Sequence, residues 1–160
     1  MFKRIWVVGV CVLGLLLSVS VVGAGAAAPS RVLKFVNGST NFVGIGFNVN
    51  GNVIPPVGSR FAITLRIRND GAQFGKPSGA FVGRVLIECT VLAESGQNSD
   101  GNCFGIAHVP DGFFTFEGDG PLLNTKVNYW AITGGVGPYA NARGQIRTGG
   151  KHAVVTLYTP

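Results

Sequence analysis

Apolar and polar residues alternate over several stretches of this chain with the two-residue period of β-strands. The clearest alternation spans residues 59–68, where every second side chain is apolar: Phe61, Ile63, Leu65 and Ile67. Residues 80–92 alternate in the same way. Such a period buries one face of a strand and leaves the other in water, so both stretches are predicted to be half-buried strands.

Shorter apolar segments separated by turn residues predict the remaining strands. Leu, Ala, Glu and Lys do not cluster at helical spacing, and the chain contains 25 glycines. Strands are predicted at residues 31–36, 42–49 (loosely formed), 59–68, 80–92, 103–109, 113–117, 127–133, 142–148 and 153–158. The intervening turns include residues 37–40, 94–101 and 110–112, the last a strong Pro-Asp-Gly signal.

The short connections in the second half of the chain indicate antiparallel neighbours. About eight antiparallel strands close into a barrel whose interior either fills with side chains or holds one small ligand. The predicted fold class is therefore all-β, an eight-stranded antiparallel β-barrel.

The first residues have the pattern of a secretory signal peptide. Lys3 and Arg4 precede an apolar segment, residues 5–22, and small residues at 24–26 offer a cleavage site. The apolar segment is also long enough for a membrane anchor, but its small-residue end favours cleavage near Ala26. We expect residues 1–26 to be removed, residues 27–160 to form the barrel domain, and the protein to be secreted without a stable membrane anchor.

The net charge of the chain is only a weak indication of its binding partners. Cleavage removes Lys3 and Arg4, which lowers the net charge from +6 to +4 (6 minus 2). The remaining basic residues are dispersed along the chain, whereas nucleic-acid binding needs a clustered patch. We predict no nucleic-acid partner, and at most a weak attraction to an anionic wall or membrane surface.

Two cysteines, Cys89 and Cys103, remain after cleavage. In an oxidising compartment they most simply form one disulfide. The alternative, a free catalytic thiol, needs an activating base. The histidine nearest in sequence, His108, has no sequence reason to lie beside either sulfur.

Residues 131–145 form a glycine-rich bend between two predicted strands. A phosphate-binding loop would need a helix N-terminus directly after the glycines. The residues that follow, 143–147, are strand-like. We therefore interpret the stretch as a hairpin bend.

This bend and the hairpin before it resemble the allene oxide cyclase-like barrels, a group that includes the plant dirigent proteins. The resemblance rests on DGFFTFEG at residues 111–118 and YWAITGGVGPYANARGQ at residues 129–145. A weaker likeness extends back to about Val57 and includes both cysteines. It implies an eight-stranded barrel with an apolar cavity, often a homotrimer, that steers an unstable intermediate.

The resemblance implies a secreted, cofactor-free barrel that binds an apolar small molecule and guides its cyclisation or stereoselective coupling. Such an activity would be isomerase- or cyclase-like. Authentic allene oxide cyclisation is not expected, because the family's first-strand carboxylate has no counterpart in residues 31–37. The alternatives are a non-catalytic secreted carrier of lipids or other small molecules, and a structural surface protein with a solid barrel.

Two residues are candidate catalytic groups. Arg143 follows the bend and either anchors an oxyanion at the barrel mouth or clamps the carbonyls of the bend. Glu88 lies in an apolar strand. Facing inward, burial would raise its pKa and make it a proton donor; facing outward, it would be a solvated charge.

Four further residues are candidate ligand-binding groups. Tyr139 either contacts a ligand or plugs the barrel end, and Glu117 has the same two readings as Glu88. Tyr129 and Trp130 are consecutive in a strand, so at most one of them lines a cavity. No metal site is predicted, since no second histidine or acid stands at metal-ligand spacing from His108.

Overall fold

A computed structural model of the protein describes residues 29–45, 56–95, 98–121 and 127–158. The predicted signal peptide lies outside these ranges. Within them the chain forms eight strands and one short 3-10 turn, Gly137–Tyr139. The strands are β1 (Arg31–Ile45), β2 (Arg60–Asn69), β3 (Phe81–Ser95), β4 (Asn98–Val109), β5 (Gly112–Pro121), β6 (Asn128–Val136), β7 (Arg143–Gly149) and β8 (His152–Tyr158).

The eight strands follow one another around a closed barrel, and β8 pairs with β1 to complete it. Every neighbouring pair is antiparallel. Closure leaves no open sheet edge, which removes the main route to strand-mediated aggregation. The predicted fold class is confirmed.

The predicted turn at residues 37–40 was wrong. These residues form an irregularity in the β1–β2 pairing, between Asn37 and Thr40, and β1 continues to Ile45. An irregularity of this kind bends a strand and increases its twist without ending it. Residues 31–36 of β1 pair with β8, and residues 35–37 and 40–45 pair with β2. The end of the loosely formed strand predicted at 42–49 lies outside the described residues.

The predicted turn at 94–101 was also too wide, because β3 continues to Ser95 and β4 begins at Asn98. Asn, Ser, Asp and Gly at 98–102 have low strand propensity, which led to the turn prediction. In the barrel Asp100 and Gly101 pair with β3 on one side and β5 on the other. Ladder pairing therefore overrides local propensity here.

Alternate side chains of every strand meet in the barrel interior. The main apolar cluster includes Phe35, Ile67, Phe114 and Leu157, and Tyr139 packs into it with none of its surface exposed. A second, smaller cluster comprises Phe61, Cys89, Val91 and Cys103. Tyr139 thus closes one end of the barrel from within the bend between β6 and β7.

The predicted disulfide is present between Cys89 and Cys103, which are direct partners in the β3–β4 pairing. Both cysteines are almost fully buried. A disulfide is compatible with an oxidising, extracytoplasmic location. The described part of the chain has no helix with the length and apolarity needed to cross a membrane.

Candidate functional site

The barrel interior encloses a cavity of about 190 Å³. Its wall is aromatic and aliphatic, because inward positions of all eight strands contribute to it. The aromatic lining residues are Phe35, Phe114, Phe116 and Trp130. A cavity of this composition excludes water in favour of apolar ligands.

Polar groups occur where the cavity reaches the end of the barrel opposite Tyr139. Asn37, at the irregularity in β1, and Gly150, in the turn between β7 and β8, both line it. The backbone N–H of Asn37 donates to the Lys151 carbonyl at 2.8 Å, which joins these two segments. We call this end, defined by Asn37, Thr148 and Gly150, the mouth.

Trp130 borders the mouth and lies edge-on to Phe116, with ring centroids 5.9 Å apart. Its indole N–H points at the Thr148 hydroxyl at 3.5 Å, and that hydroxyl is 3.5 Å from the Asn128 carbonyl. None of the described residues that line the cavity is ionisable. The chemistry available inside is therefore shape, exclusion of water and a few neutral hydrogen bonds.

Tyr129 faces away from the cavity, with 57% of its surface exposed. Its neighbour Trp130 lines the interior, as consecutive strand residues must alternate. Of the two candidates, the fold brings only Trp130 to the cavity.

The closed end is organised around Asp111. The Tyr139 hydroxyl donates to Asp111 Oδ1 at 2.7 Å, and Arg31 Nη1 donates to Asp111 Oδ2 at 2.7 Å. The Arg31 guanidinium also lies 5.3 Å from the centre of the Tyr139 ring and 5.1 Å from that of Phe74. These contacts join the start of β1, the β4–β5 turn, the β2–β3 connection and the bend after β6.

Burial and hydrogen bonding shift two pKa values at this end. Burial raises the pKa of Tyr139, and its hydrogen bond to Asp111 raises it further, well above its usual 10.0. For Asp111 burial acts upward, but hydrogen bonds from Tyr139 and Arg31 outweigh it and hold the pKa below its usual 3.8. The raised pKa favours the protonated form of Tyr139, whose buried ring fills the closed end of the barrel.

Arg143 lies at the closed end and is exposed. Its Nη1 donates to the Thr133 carbonyl at 2.8 Å and to the Ala142 carbonyl at 2.9 Å. These contacts match the second alternative predicted for Arg143, in which its side chain binds backbone carbonyls of the bend. The side chain does not line the cavity.

Glu88 and Glu117 project from the outer wall. Each is a direct register partner of Phe104, and Glu88 forms an ion pair with Arg60. The inward orientation that a buried proton donor needs is absent. The neighbouring Cys89 is buried in the interior, so Glu88 has to face outward.

Sequence reasoning missed Asn37 and Thr148. A signal for Thr148 was available, because it stands two residues after Ile146 and shares its inward face. Asn37 had no such signal, since residues 37–40 look like a turn until their pairing with β2 is known.

A scan against protein-family models and a search of curated proteins gave no match. Solved structures do match. A pyocyanin demethylase has 21% identity and a TM-score of 0.61 over 80% of this chain and 98% of its own. A pterocarpan synthase dirigent protein has 17% identity and a TM-score of 0.54 over 84% of this chain and 100% of its own.

A third match is a nonspecific heme-binding cyclase that catalyses a 4 + 2 cycloaddition in neoabyssomicin biosynthesis. It has 18% identity and a TM-score of 0.53 over 79% of this chain and 61% of its own. At these identities the likeness concerns the fold. The chain has the eight-stranded barrel fold shared by dirigent proteins and cyclase-like barrels.

Proposed function

We propose that this protein is a secreted barrel that binds an apolar small molecule in its interior and guides the cyclisation or coupling of that molecule. The observation that carries the proposal is the interior cavity of about 190 Å³, whose aromatic lining residues are Phe35, Phe114, Phe116 and Trp130. Structural neighbours that are dirigent proteins and a cyclase support it at the level of the fold.

The size of the cavity favours a compact ligand. A dry cavity of about 150 Å³ lined by aliphatic and aromatic groups holds a benzene molecule. A cavity of about 190 Å³ therefore suits an aromatic or alicyclic ligand of one or two rings. Asn37 and Thr148 would orient its polar substituent at the mouth.

The mechanism would be positioning. Holding reacting atoms in the correct geometry can remove about 7 to 11 kcal/mol from a barrier without any acid or base. This fits a lining without ionisable side chains among the described residues. Such a barrel acts on a substrate that is already reactive, and its apolar wall keeps water away from the intermediate.

The cavity also bears on the two alternatives. It supports both ligand-binding hypotheses over a solid structural barrel, because a solid interior would leave no space for a ligand. A carrier and a reaction guide differ in the state of the ligand they release.

Trp130 provides a direct assay. Trp6 lies in the predicted signal peptide, so Trp130 is the single tryptophan of the processed chain. We expect nitrobenzene, a small aromatic quencher, to quench Trp130 fluorescence saturably. Ala107→Leu, which adds three carbons to the cavity wall, should weaken this binding at least about tenfold.

Val32→Ser is the matched control, because Val32 lies on the outer face of β1 and is exposed. If Ala107→Leu does not fold, Ala153→Leu fills the same cavity from β8. Non-saturable quenching, or equal binding by filled and control variants, would overturn the proposal. Mass spectrometry of ligand extracted from the purified protein then separates the two ligand-binding hypotheses. A carrier returns the ligand unchanged, whereas a barrel that guides a reaction releases the cyclised or coupled product.

A further inference from the structure

A second concave site lies on the outside of the barrel, at the rim of the closed end. It is a groove of about 370 Å³ between the β2–β3 connection, the start of β3 and the turn between β4 and β5. We call it the basic groove. None of its lining residues lines the interior cavity, so the two sites are separate.

Three basic residues that are dispersed in the sequence line this groove: Lys76, Arg84 and His108. Arg84 and His108 are direct partners in the β3–β4 pairing. On its other side Arg84 pairs with Arg66, so neither register partner of Arg84 is acidic. The Lys76 Nζ lies 3.5 Å from the Phe81 carbonyl oxygen, which places the lysine at the start of β3.

Neighbouring acids do not neutralise the positive charge of the groove. Among the described residues, no ion pair includes Lys76 or Arg84. The acid that follows the groove along the chain, Asp111, already accepts hydrogen bonds from Tyr139 and Arg31. An anion bound in the groove would supply the opposite charge and form charge-assisted hydrogen bonds.

The floor of the groove is apolar and recessed. Val82 is 4% exposed and Val109 is 8% exposed, whereas Arg84 and Phe81 at the rim are exposed. The Arg66 guanidinium lies 4.4 Å from the centre of the Phe81 ring, which holds that ring at the edge of the groove. A ligand that matches both the floor and the rim has an apolar body and an anionic group.

We propose that the basic groove is a second binding site, which takes a small aromatic carboxylate. The Arg84 guanidinium donates to the carboxylate, because its planar fork matches that group bidentately. Lys76 adds a second positive charge. The aromatic body of the ligand packs on Val82 and Val109, beside the Phe81 ring. The interior cavity has no ionisable side chain among its described lining residues, so the two sites select ligands of opposite character.

The recessed floor selects a small molecule over an anionic bilayer. A flat surface contacts the exposed rim, but it does not reach the nearly buried Val82 and Val109. An aromatic ring that enters the groove removes this apolar surface from water, which adds affinity that charge alone does not give.

Isothermal titration calorimetry with 2-naphthoate tests the site. We expect one ligand to bind per chain, with a Kd on the order of 0.1 mM. 2-Naphthamide keeps the apolar body without the charge, and acetate keeps the charge without the body. Each should bind at least about tenfold more weakly than 2-naphthoate. The Lys76→Gln/Arg84→Gln variant should weaken 2-naphthoate binding by at least about tenfold and leave nitrobenzene quenching of Trp130 unchanged.

Arg147→Gln/Lys151→Gln is the matched control, because it removes the same charge from two exposed residues on or directly after β7. It should change 2-naphthoate binding by less than about twofold. Ala107→Leu, which fills the interior cavity, should leave 2-naphthoate binding unchanged and so distinguishes the groove from the interior.

Four results would overturn the proposal. They are no binding of 2-naphthoate at about 1 mM, equal binding of 2-naphthoate and 2-naphthamide, unchanged binding by Lys76→Gln/Arg84→Gln, and loss of binding in either control variant. Binding to vesicles of an anionic lipid without binding of 2-naphthoate would show instead that the basic residues serve a membrane surface.

Discussion

The two ends of the barrel are built differently. At the closed end Tyr139 is completely buried, and its hydroxyl, the Asp111 carboxylate and the Arg31 guanidinium are joined by two hydrogen bonds of 2.7 Å. At the mouth, Asn37 and Thr148 remain partly accessible and line the cavity. The polar groups at the closed end are hydrogen-bonded to one another within the protein, whereas the mouth retains accessible polar groups that a ligand can contact.

This difference separates fold from function. The glycine-rich bend that most resembles the allene oxide cyclase-like barrels lies at the closed end, where Tyr139 plugs the interior and Arg143 clamps carbonyls. The motif stretches also contribute Phe114, Phe116 and Trp130 to the cavity wall. The polar groups at the mouth, Asn37 and Thr148, lie outside both stretches, so the motif identifies the barrel without including the polar groups that border its cavity.

The largest expected effect is the loss of stability on replacing Gly144 at the closed end, compared with the same change at Gly150 at the mouth. At Gly144, φ is +148° and an added Cβ would lie 1.9 Å from the Thr156 carbonyl oxygen. We expect Gly144→Ala to cost about 3 kcal/mol or more, or to prevent folding. Gly150 at the mouth has φ of +58° and open space around it, so Gly150→Ala should cost about 1 kcal/mol.

Urea unfolding followed by Trp130 fluorescence measures both changes. Equal costs for Gly144→Ala and Gly150→Ala would contradict the view that the closed end is the tightly packed one.

The second effect concerns the small apolar cluster around Cys89. Its member on β4, Cys103, lies farther from the closed end than Val109, the last residue of that strand. The disulfide links residues separated by 14 positions. In the chain-entropy model a loop of this size contributes about 3 kcal/mol. The Cys89→Ala/Cys103→Ala variant should lose about that much stability in urea unfolding.

A reductant should destabilise the unmodified protein and leave the double variant unchanged. Similar reductant sensitivity in both proteins would show that the bridge does not stabilise this cluster.

A smaller effect is expected from Tyr139→Phe, which keeps the plug and removes its hydrogen bond to Asp111. The loss should be about 1 to 1.5 kcal/mol. The unmodified protein should also lose stability as pH rises above about 10. There the unfolded tyrosine releases its proton, while folded Tyr139, with its raised pKa, retains it.

Urea unfolding at about pH 8 and about pH 11 should show a shallower alkaline loss for Tyr139→Phe than for the unmodified protein. In acid the sign is opposite, because the pKa of Asp111 is lowered. Its contribution is lost as pH falls through that depressed pKa. An unchanged alkaline slope in the variant would contradict the role given to Tyr139.

The smallest stability effect is expected at the mouth. No side-chain hydrogen bond of Asn37 is found among the described residues, and its backbone N–H donates to the Lys151 carbonyl. Asn37→Ala should therefore change stability by less than about 0.5 kcal/mol. It should weaken nitrobenzene binding about fivefold through loss of one hydrogen bond to the nitro group.

Lys151→Ala is the control for Asn37→Ala, since Lys151 binds Asn37 through its backbone carbonyl and has an exposed side chain. An Asn37→Ala variant with unchanged quenching would remove Asn37 from the site.

Much of the fold was predictable because alternation is a local property. The strands at 59–68 and 80–92, the turn at 110–112 and the disulfide all agree with the structure. The turns predicted at 37–40 and 94–101 failed because polar residues there gain ladder partners from distant strands. Glu88 and Arg143 were chosen by residue type, and the register and the bend place both outside the cavity.

By itself, the sequence determined the barrel, because an apolar face repeated on short antiparallel strands can be buried only by closing or stacking them. The tertiary structure decided which end is sealed, which polar groups border the cavity and which charged residues become register partners. Those features depend on register between residues far apart in the chain: Asn37 meets Lys151, and Arg66 meets Arg84. A shift of one residue in any such pairing would turn the inward side chains outward.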